Sequence, residues 1–335
     1  MNTQVTQDKL PPKGLVRIFA CGGCGVNIAS ALEEFRDQQE IGMAEVDIIY
    51  VDTSRSNLKQ NLPQEKIYLL DGADGSGKER KHNSAAILKH AKEILQLHKP
   101  GYLNIVLSSA SGGSGSVLAP VLANEMLAAD NLVIGITIGV SDTGVEIKNT
   151  LDTLRSYEGV SAAQNKPVMM AYFENNRKTM PSAVDADVHR LLTAICVLFS
   201  RENTGLDTRD MYNFLNFERV TSYPAHMASL SLAEGVLSEE SGEGVIAIAS
   251  AVISNDDRGI EFAPPYGCYG ILPAKTSPTL TNLPPIHLVA KAFSFNEQAH
   301  RLNAMLDEMK REAEARTASS ALTTNSGGTG GFLVL

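Results

Sequence analysis

ASGGSGSVLAP, residues 110–120, is the stretch whose reading decides the fold. It stands between a short apolar run, LNIVLSS (103–109), and a helical pattern over 115–128. Gly112, Gly113 and Gly115 let successive backbone N–H groups turn toward one point, and Ser114 and Ser116 add hydroxyls. A helix N-terminus immediately after such a run contributes positive partial charge, so the segment reads as an anion cradle. The alternative is a tight left-handed turn without a ligand, which needs fewer glycines than stand here.

Working outward, the first half alternates short β-branched runs with longer helical patterns. LVRIFA (15–20), VDIIYV (46–51), LNIVLSS (103–109), LVIGITIGV (132–140) and VMMAYF (168–173) read as buried strands, with IYLL (67–70) as a short extra one. Helical patterns lie near 26–38, 84–97, 115–128 and 146–164. That alternation predicts an α/β fold, a Rossmann-like parallel sheet covered on both faces, with ligands bound beyond the carboxyl ends of its strands.

Two further glycine windows fall beside that edge. CGGCGVN (21–27) repeats the strand–glycine–helix arrangement with Gly22, Gly23 and Gly25, but Ile28 stands where the dinucleotide fingerprint needs a third glycine or alanine. Cys21 and Cys24 are spaced as a redox pair without a thioredoxin-like flank, so a second phosphate-facing loop fits them better. GADGSGKE (72–79), with Gly72 and Gly75, is a near-miss to the Walker motif: Glu79 occupies the place of the magnesium-binding hydroxyl.

Composition sets the limits. The 335 residues carry 29 basic and 38 acidic side chains, a net charge of -9, which disfavours a general nucleic-acid binder. With 43% hydrophobic and 20% charged residues the chain can bury a large core. Four cysteines make no disulfide framework and no paired zinc motif, so no metal site is predicted. The polar N-terminus and the shortness of the apolar runs predict a cytoplasmic protein without a membrane span.

Three glycine loops at one sheet edge resemble those of the tubulin/FtsZ superfamily of GTPases. GGSGSVLAP is similar to the signature G-G-[ST]-G-[ST], CGGCGVN to the first phosphate loop, YVDTSRSNL (50–58) with Asp52 to the second, and GADGSG to the third. The combination looks most like the phage tubulins of the PhuZ group, from about residue 15 to 217. The resemblance implies GTP/GDP as ligand with Mg2+, and carries over positions one at a time. Asn27 would close the first loop near the ribose and base, and Glu146 falls in the ribose-loop region although GVSDTGVEIKN departs from the usual pattern. Asn175 or Asn176 resembles the asparagine that reads guanine. Asp185 stands where a second guanine reader belongs; such a carboxylate can accept from N1–H and N2–H2 together. A helix-terminal acid complementing the dipole is its alternative reading.

GLDTRDM (205–211) is similar to the loop that, in the family, inserts into the neighbouring subunit's nucleotide pocket, and Asp207 and Asp210 match its two acids. On a helical start these carboxylates share a face; Asp207 also suits the N-cap of a helix over 208–217, and both roles can coexist. Gly205 replaces the usual asparagine.

The expected domain plan is an N-terminal arm (1–13), a GTP-binding domain (14–183) and a central helix (184–204). A catalytic loop with a smaller α+β C-terminal domain (205–296), a charged helix (297–316) and a Ser/Thr/Ala/Gly tail (317–335) complete it. The implied function is a GTPase that polymerises head to tail and hydrolyses GTP at the subunit interface, serving as a phage spindle in the infected bacterium. Self is the implied partner, with phage capsids or a nucleus-like compartment beyond it, and neither nucleic acid nor membrane. The rivals are a monomeric NAD-dependent oxidoreductase, which the incomplete fingerprint disfavours, and a filament protein that binds GTP without hydrolysing it, which Asp207 and Asp210 disfavour.

Overall fold

The computed structural model describes residues 14–36, 44–175, 179–201, 203–252, 259–272 and 284–325. The arm expected over 1–13, Asn176 and tail residues 326–335 lie outside them. Strands β1 (Val16–Cys21), β2 (Val46–Asp52), β3 (Ile67–Leu69), β4 (Leu103–Ser109), β5 (Leu132–Val140) and β6 (Val168–Asn175) form a parallel array in the order β3-β2-β1-β4-β5-β6. Successive side chains of β1 enter opposite cores: Val16, Ile18 and Ala20 join one cluster, Phe19 and Cys21 the other. That is why these strands read as continuous apolar runs rather than as alternating ones.

Helices α1 (Gly22–Arg36), α2 (Ser84–Leu97), α3 (Gly115–Ala128), α4 (Gly144–Gln164) and α5 (Pro181–Leu198) cover the two faces. Three helices depart from the bounds read in the sequence. Helix α1 begins at Gly22, so the glycines of the first loop are themselves the first helical turn. Helix α5 starts at Pro181, whose fixed φ suits a first helical position, and ends at Leu198 ahead of Arg201, which has φ +60°. The last helix, numbered α7 below, runs Phe295–Asn325 and so takes in part of the stretch read as tail. No glycine or proline interrupts 317–325, and extending an existing helix is easier than nucleating one.

The mixed part expected after residue 205 continues the same sheet. Helix α6 (Thr208–Leu215) precedes β7 (Met227–Glu234), β8 (Val245–Val252), β9 (Tyr266–Ile271), β10 (Ile286–Ala292) and α7. Strand β7 pairs parallel with β6, then antiparallel with β10, and the order closes β7-β10-β8-β9. The sequence reading passed over β7, in which Leu230 and Leu232 alternate with Ser229 and Ser231. Among the described residues no helix is long and apolar enough to cross a membrane.

Helix α5 spans the height of the sheet. Near its start, Asp185 faces Cys24 of α1, and His189 Nε2 lies 3.0 Å from the Ile28 carbonyl. At its end, the Cys196 carbonyl accepts from Ala44 N (2.9 Å), just before β2 begins. Tyr102, which directly precedes β4, donates its hydroxyl to the Thr208 carbonyl at 2.8 Å. The start of α6 therefore lies at the amino ends of the parallel strands. The seven residues of β4 put about 20 Å between that edge and the glycine loops.

Candidate functional site

At the carboxyl edge, the loops after β1, β2, β3 and β4 surround a cavity of about 260 Å³. Of the positions read from sequence, Gly22, Gly23, Cys24, Asp52, Gly75, Gly112, Gly113, Ser114 and Gly115 line it. Contacts order these loops along the wall. Gly22 has φ +71° and abuts Gly115, so a Cβ there would approach Gly115 N and Cα at 3.0 Å; a Cβ on Gly113 would overlap the Ser76 side chain. The sequence thus runs from Cys24 through Gly22, Gly115 and Gly113 to the loop carrying Ser76 and Lys78. At Gly22 and Gly115 glycine is required because backbone approaches backbone, and at Gly113 because the Ser76 side chain does.

The second loop is tied to the signature loop by Thr53 Oγ1, 2.6 Å from Ser114 Oγ. Asp52 is almost wholly buried; its Oδ1 accepts from Thr53 N (2.6 Å) and Ser54 N (3.2 Å), and its Oδ2 from Asn57 Nδ2 (2.9 Å). Burial pushes its carboxyl above the ordinary range, against those hydrogen bonds. Cys21 and Cys24 are free thiols, and burial, aided by the Asp185 carboxylate, pushes the Cys24 thiol up to about 12. A thiol held protonated is a poor nucleophile, which speaks against the redox reading of this pair.

Helix α4 stitches the third loop to the signature loop. Asn149 Nδ2 donates to the carbonyls of Lys78 (2.8 Å), Ser111 (3.0 Å) and Gly112 (3.4 Å). Arg80 Nη1 donates to the Ser116 carbonyl at 2.8 Å, and the guanidinium also reaches Thr153 Oγ1 and Ser156 Oγ. This repairs a specific deficit: Pro120 sits four residues after Ser116 inside α3 and has no N–H to give that carbonyl. Ser116 Oγ turns back to the carbonyls of Gly112 (2.7 Å) and Gly113 (2.9 Å), so Ser116 supports the loop and is absent from the cavity wall.

Other expected positions stand apart from the wall. Gly25 packs behind it against the Leu107 carbonyl, Gly72 is exposed at the start of the third loop, and Asn27 is exposed on α1. Glu146 is held by Lys78 rather than turned to the cavity: Lys78 Nζ is 2.7 Å from Oε1, while Thr143 Oγ1 donates to Oε2 at 2.9 Å. Burial alone would raise its carboxyl, and these partners hold it below the ordinary range. Asn175 ends β6 with a buried Oδ1 that meets no partner among the described residues. Asp185, half-buried in the second turn of α5, has its carboxyl raised by burial, opposed by His189.

The wall also includes Thr53, Ser54, Asn57, Ser76, Lys78 and Ser109, none of which the sequence reading singled out. All but Ser109 lie within the quoted loops YVDTSRSNL and GADGSGKE and could have been taken from them as side chains beside an expected phosphate. The glycine cradles and the hydroxyl lining fit a nucleotide, and the starts of α1 and α3 both meet the cavity. Among the described residues no cluster of three or more His, Cys, Asp or Glu side chains could hold a metal.

At the opposite edge, Asp207 is the N-cap of α6. Its Oδ1 accepts from Arg209 N (2.7 Å) and Asp210 N (3.0 Å), and Asp210 Oδ2 accepts from Asp207 N at 3.0 Å, a reciprocal capping box. Tyr266 donates its hydroxyl to the Asp210 carbonyl (3.2 Å) and Oδ1 (3.3 Å). The two acids are thus brought together, but far from the cavity of their own chain.

Residues 16–185 match the tubulin/FtsZ family, GTPase domain. A phage tubulin-like protein of Pseudomonas phage phiKZ is 25% identical over 334 residues, covering 95% of this chain and 97% of its own. A second, from Pseudomonas phage PhiPA3, is 27% identical over 252 residues, 75% of this chain and 76% of its own. The solved protofilament of TubZ from bacteriophage PhiKZ aligns with a TM-score of 0.78 at 25% identity, covering 90% of this chain and 92% of that one. None of these likenesses supports an NAD-dependent oxidoreductase.

Proposed function

The chain belongs to the tubulin/FtsZ family of GTPases, and from that premise we propose that it polymerises head to tail and hydrolyses GTP only where two copies meet. The observation that supports this reading is the separation of the two edges. The glycine loops lie at the carboxyl ends of the strands, and Asp207 and Asp210 at the amino ends, about 20 Å away through the sheet. No side chain spans that distance, so within one chain the acids cannot meet a phosphate in the cavity. A second copy stacked on the first brings its amino edge over the carboxyl edge below. The two surfaces differ, so the contact is heterologous and repeats without closing, which builds a filament.

In this reading the amides opening α1 and α3, with the hydroxyls of Thr53, Ser109 and Ser114, hold the phosphates of GTP or GDP. In the same reading the guanine end lies toward Cys24, where Asp185 faces α1 and Asn27 stands on that helix, and Asn175 at the carboxyl end of β6 would offer a further amide. Asp207 Oδ1 is committed to its own helix, and among the described residues Oδ2 accepts no hydrogen bond. That oxygen, beside the Asp210 carboxylate, would orient the attacking water of the neighbouring subunit's GTP and take up its proton. Magnesium would travel with the phosphate oxygens, supplying charge neutralisation, with Asp52 the carboxylate nearby in the wall. Loss of the terminal phosphate removes the group that both edges hold, and the contact weakens.

The likeness to phage tubulin-like proteins of Pseudomonas phages supports a place in the host bacterial cytoplasm, as a spindle acting on phage capsids or a nucleus-like compartment. Turnover per subunit measured across protein concentration tests the reading. It should rise steeply as filaments form, and a specific activity independent of concentration would replace it with a self-contained enzyme.

A further inference from the structure

We propose that Lys78 is the residue by which this chain distinguishes a nucleoside triphosphate from a diphosphate, its ammonium bridging Glu146 and the terminal phosphate. This rests on the cavity being a GTP site. Among the described residues lining that cavity, Lys78 is the only one with a side-chain cation, and Asp52 the only one with a carboxylate. Backbone amides and helix ends offer partial charge, so among the side chains of this wall Lys78 brings the one full positive charge, besides any ion the nucleotide carries, to a third phosphate.

Position along the wall assigns Lys78 to the terminal phosphate. In the reading proposed above the base end is at Cys24, which Asp185 faces. The contacts Gly22–Gly115 and Gly113–Ser76 carry the wall away from it, and Lys78 follows Ser76 at the far end. The Lys78 backbone is fixed: φ is +67°, in the left-handed region that non-glycine residues seldom occupy, and its carbonyl is held by Asn149. Asn149 also holds the Ser111 and Gly112 carbonyls, so the lysine and the signature loop share one support. Strained backbone maintained in this way is a common property of ligand clamps.

The side chains complete the device. The Glu146 carboxylate is 10% exposed and anchored by Thr143, whereas the Lys78 side chain is 54% exposed. A buried acid therefore aims a solvent-facing ammonium. Nζ carries three donors, and Glu146 is its one hydrogen-bonded partner among the described residues. The sequence places this lysine where a Walker motif has its phosphate-binding lysine, but in a loop that runs on to α2 only at Ser84. Glu146 in this arrangement orients Lys78 and does not read the sugar.

Calorimetric titration of the full chain, below its assembly concentration, with guanosine 5′-[β,γ-imido]triphosphate and separately with GDP provides the test. Lys78→Ala should weaken the triphosphate analogue about 10- to 100-fold while GDP affinity stays within about threefold of the wild type. Lys78→Arg should regain part of the loss, and Glu146→Gln should lose less than Lys78→Ala, on the triphosphate alone. Retained GDP binding also reports an intact fold. Equal weakening of both nucleotides, or of neither, overturns the assignment. A wild-type chain that binds neither nucleotide overturns it together with the reading of the cavity, and is distinguished from the first failure because no variant is needed to see it.

Discussion

The two ends of the parallel sheet are built from different materials. At the carboxyl edge the site is backbone: glycines whose missing Cβ atoms let loops touch, amides at two helix starts, and a ring of hydroxyls. At the amino edge it is two carboxylates on one short helix, held by their own capping box and by Tyr266. The first arrangement has what binding needs within one chain. The second has acids too far from that cavity to act on it, and in the proposed reading they acquire a task through a second copy. Binding and hydrolysis are in this account separable properties of opposite edges.

Substitutions at the amino edge should have the largest effect. Asp210→Ala is expected to lower GTP turnover at least ~100-fold, as measured by phosphate release, while leaving nucleotide affinity intact. Asp207→Asn sharpens the point, because asparagine caps a helix as well as aspartate does. It should unfold at the wild-type denaturant concentration and still lose turnover; normal turnover with a lost cap in Asp207→Ala would reduce these acids to structural groups.

At the carboxyl edge Gly115→Ala comes next. Its Cβ would stand 2.5 Å from the Cys21 carbonyl oxygen, and neither backbone segment can yield without moving the cradle. Forcing a methyl into a packed contact costs about 1–3 kcal/mol, so nucleotide affinity should fall by about tenfold or more in equilibrium titration. An unchanged affinity would mean that the cradle is not where phosphate binds.

The stitching behind the cradle should matter less. Arg80→Ala leaves the Ser116 carbonyl without its donor and should destabilise the fold by about 1–3 kcal/mol in urea titration. Adding Pro120→Ala supplies an N–H to that carbonyl and should recover part of the loss; no recovery would show that Arg80 acts through Thr153 and Ser156 alone. The smallest effect concerns pH. Glu146 is depressed in the folded chain, so its stabilising contribution is complete above the ordinary glutamate pKa of about 4.3 and fades as pH falls through its lower folded value. The wild type should therefore lose its stability advantage over Glu146→Gln in that acid window, and a constant difference there would contradict the Lys78–Glu146 pair.

What could be read from sequence was local. Each glycine loop follows its own strand within a few residues, and strand–helix alternation is a pattern of neighbours, so GGSGSVLAP and CGGCGVN announced the fold and the edge where the cavity lies. Helix α2 and helix α3 stand at the expected residues because their apolar periodicity and stops are local as well. The joins were hidden. Lys78 and Glu146 are 68 residues apart, Lys78 and Asn149 71, and nothing in either segment names its partner. Strand β7 escaped because its serines weaken the apolar signal, and its place is set by pairing with β6 and β10. The separation of the acids from the cavity, the feature on which the proposed mechanism turns, follows from α5 crossing the sheet and is visible only once the sheet is assembled.

That mechanism is tested most directly by mixing two disabled proteins. Asp210→Ala keeps a carboxyl edge that binds GTP, and Gly115→Ala keeps the acids of the amino edge. Each alone should release little phosphate. Combined, the amino edge of the second can stack on the GTP-loaded edge of the first, and turnover that neither shows alone should appear and grow with total protein concentration. A mixture no more active than the sum of its parts, with both variants folded, would contradict hydrolysis between subunits.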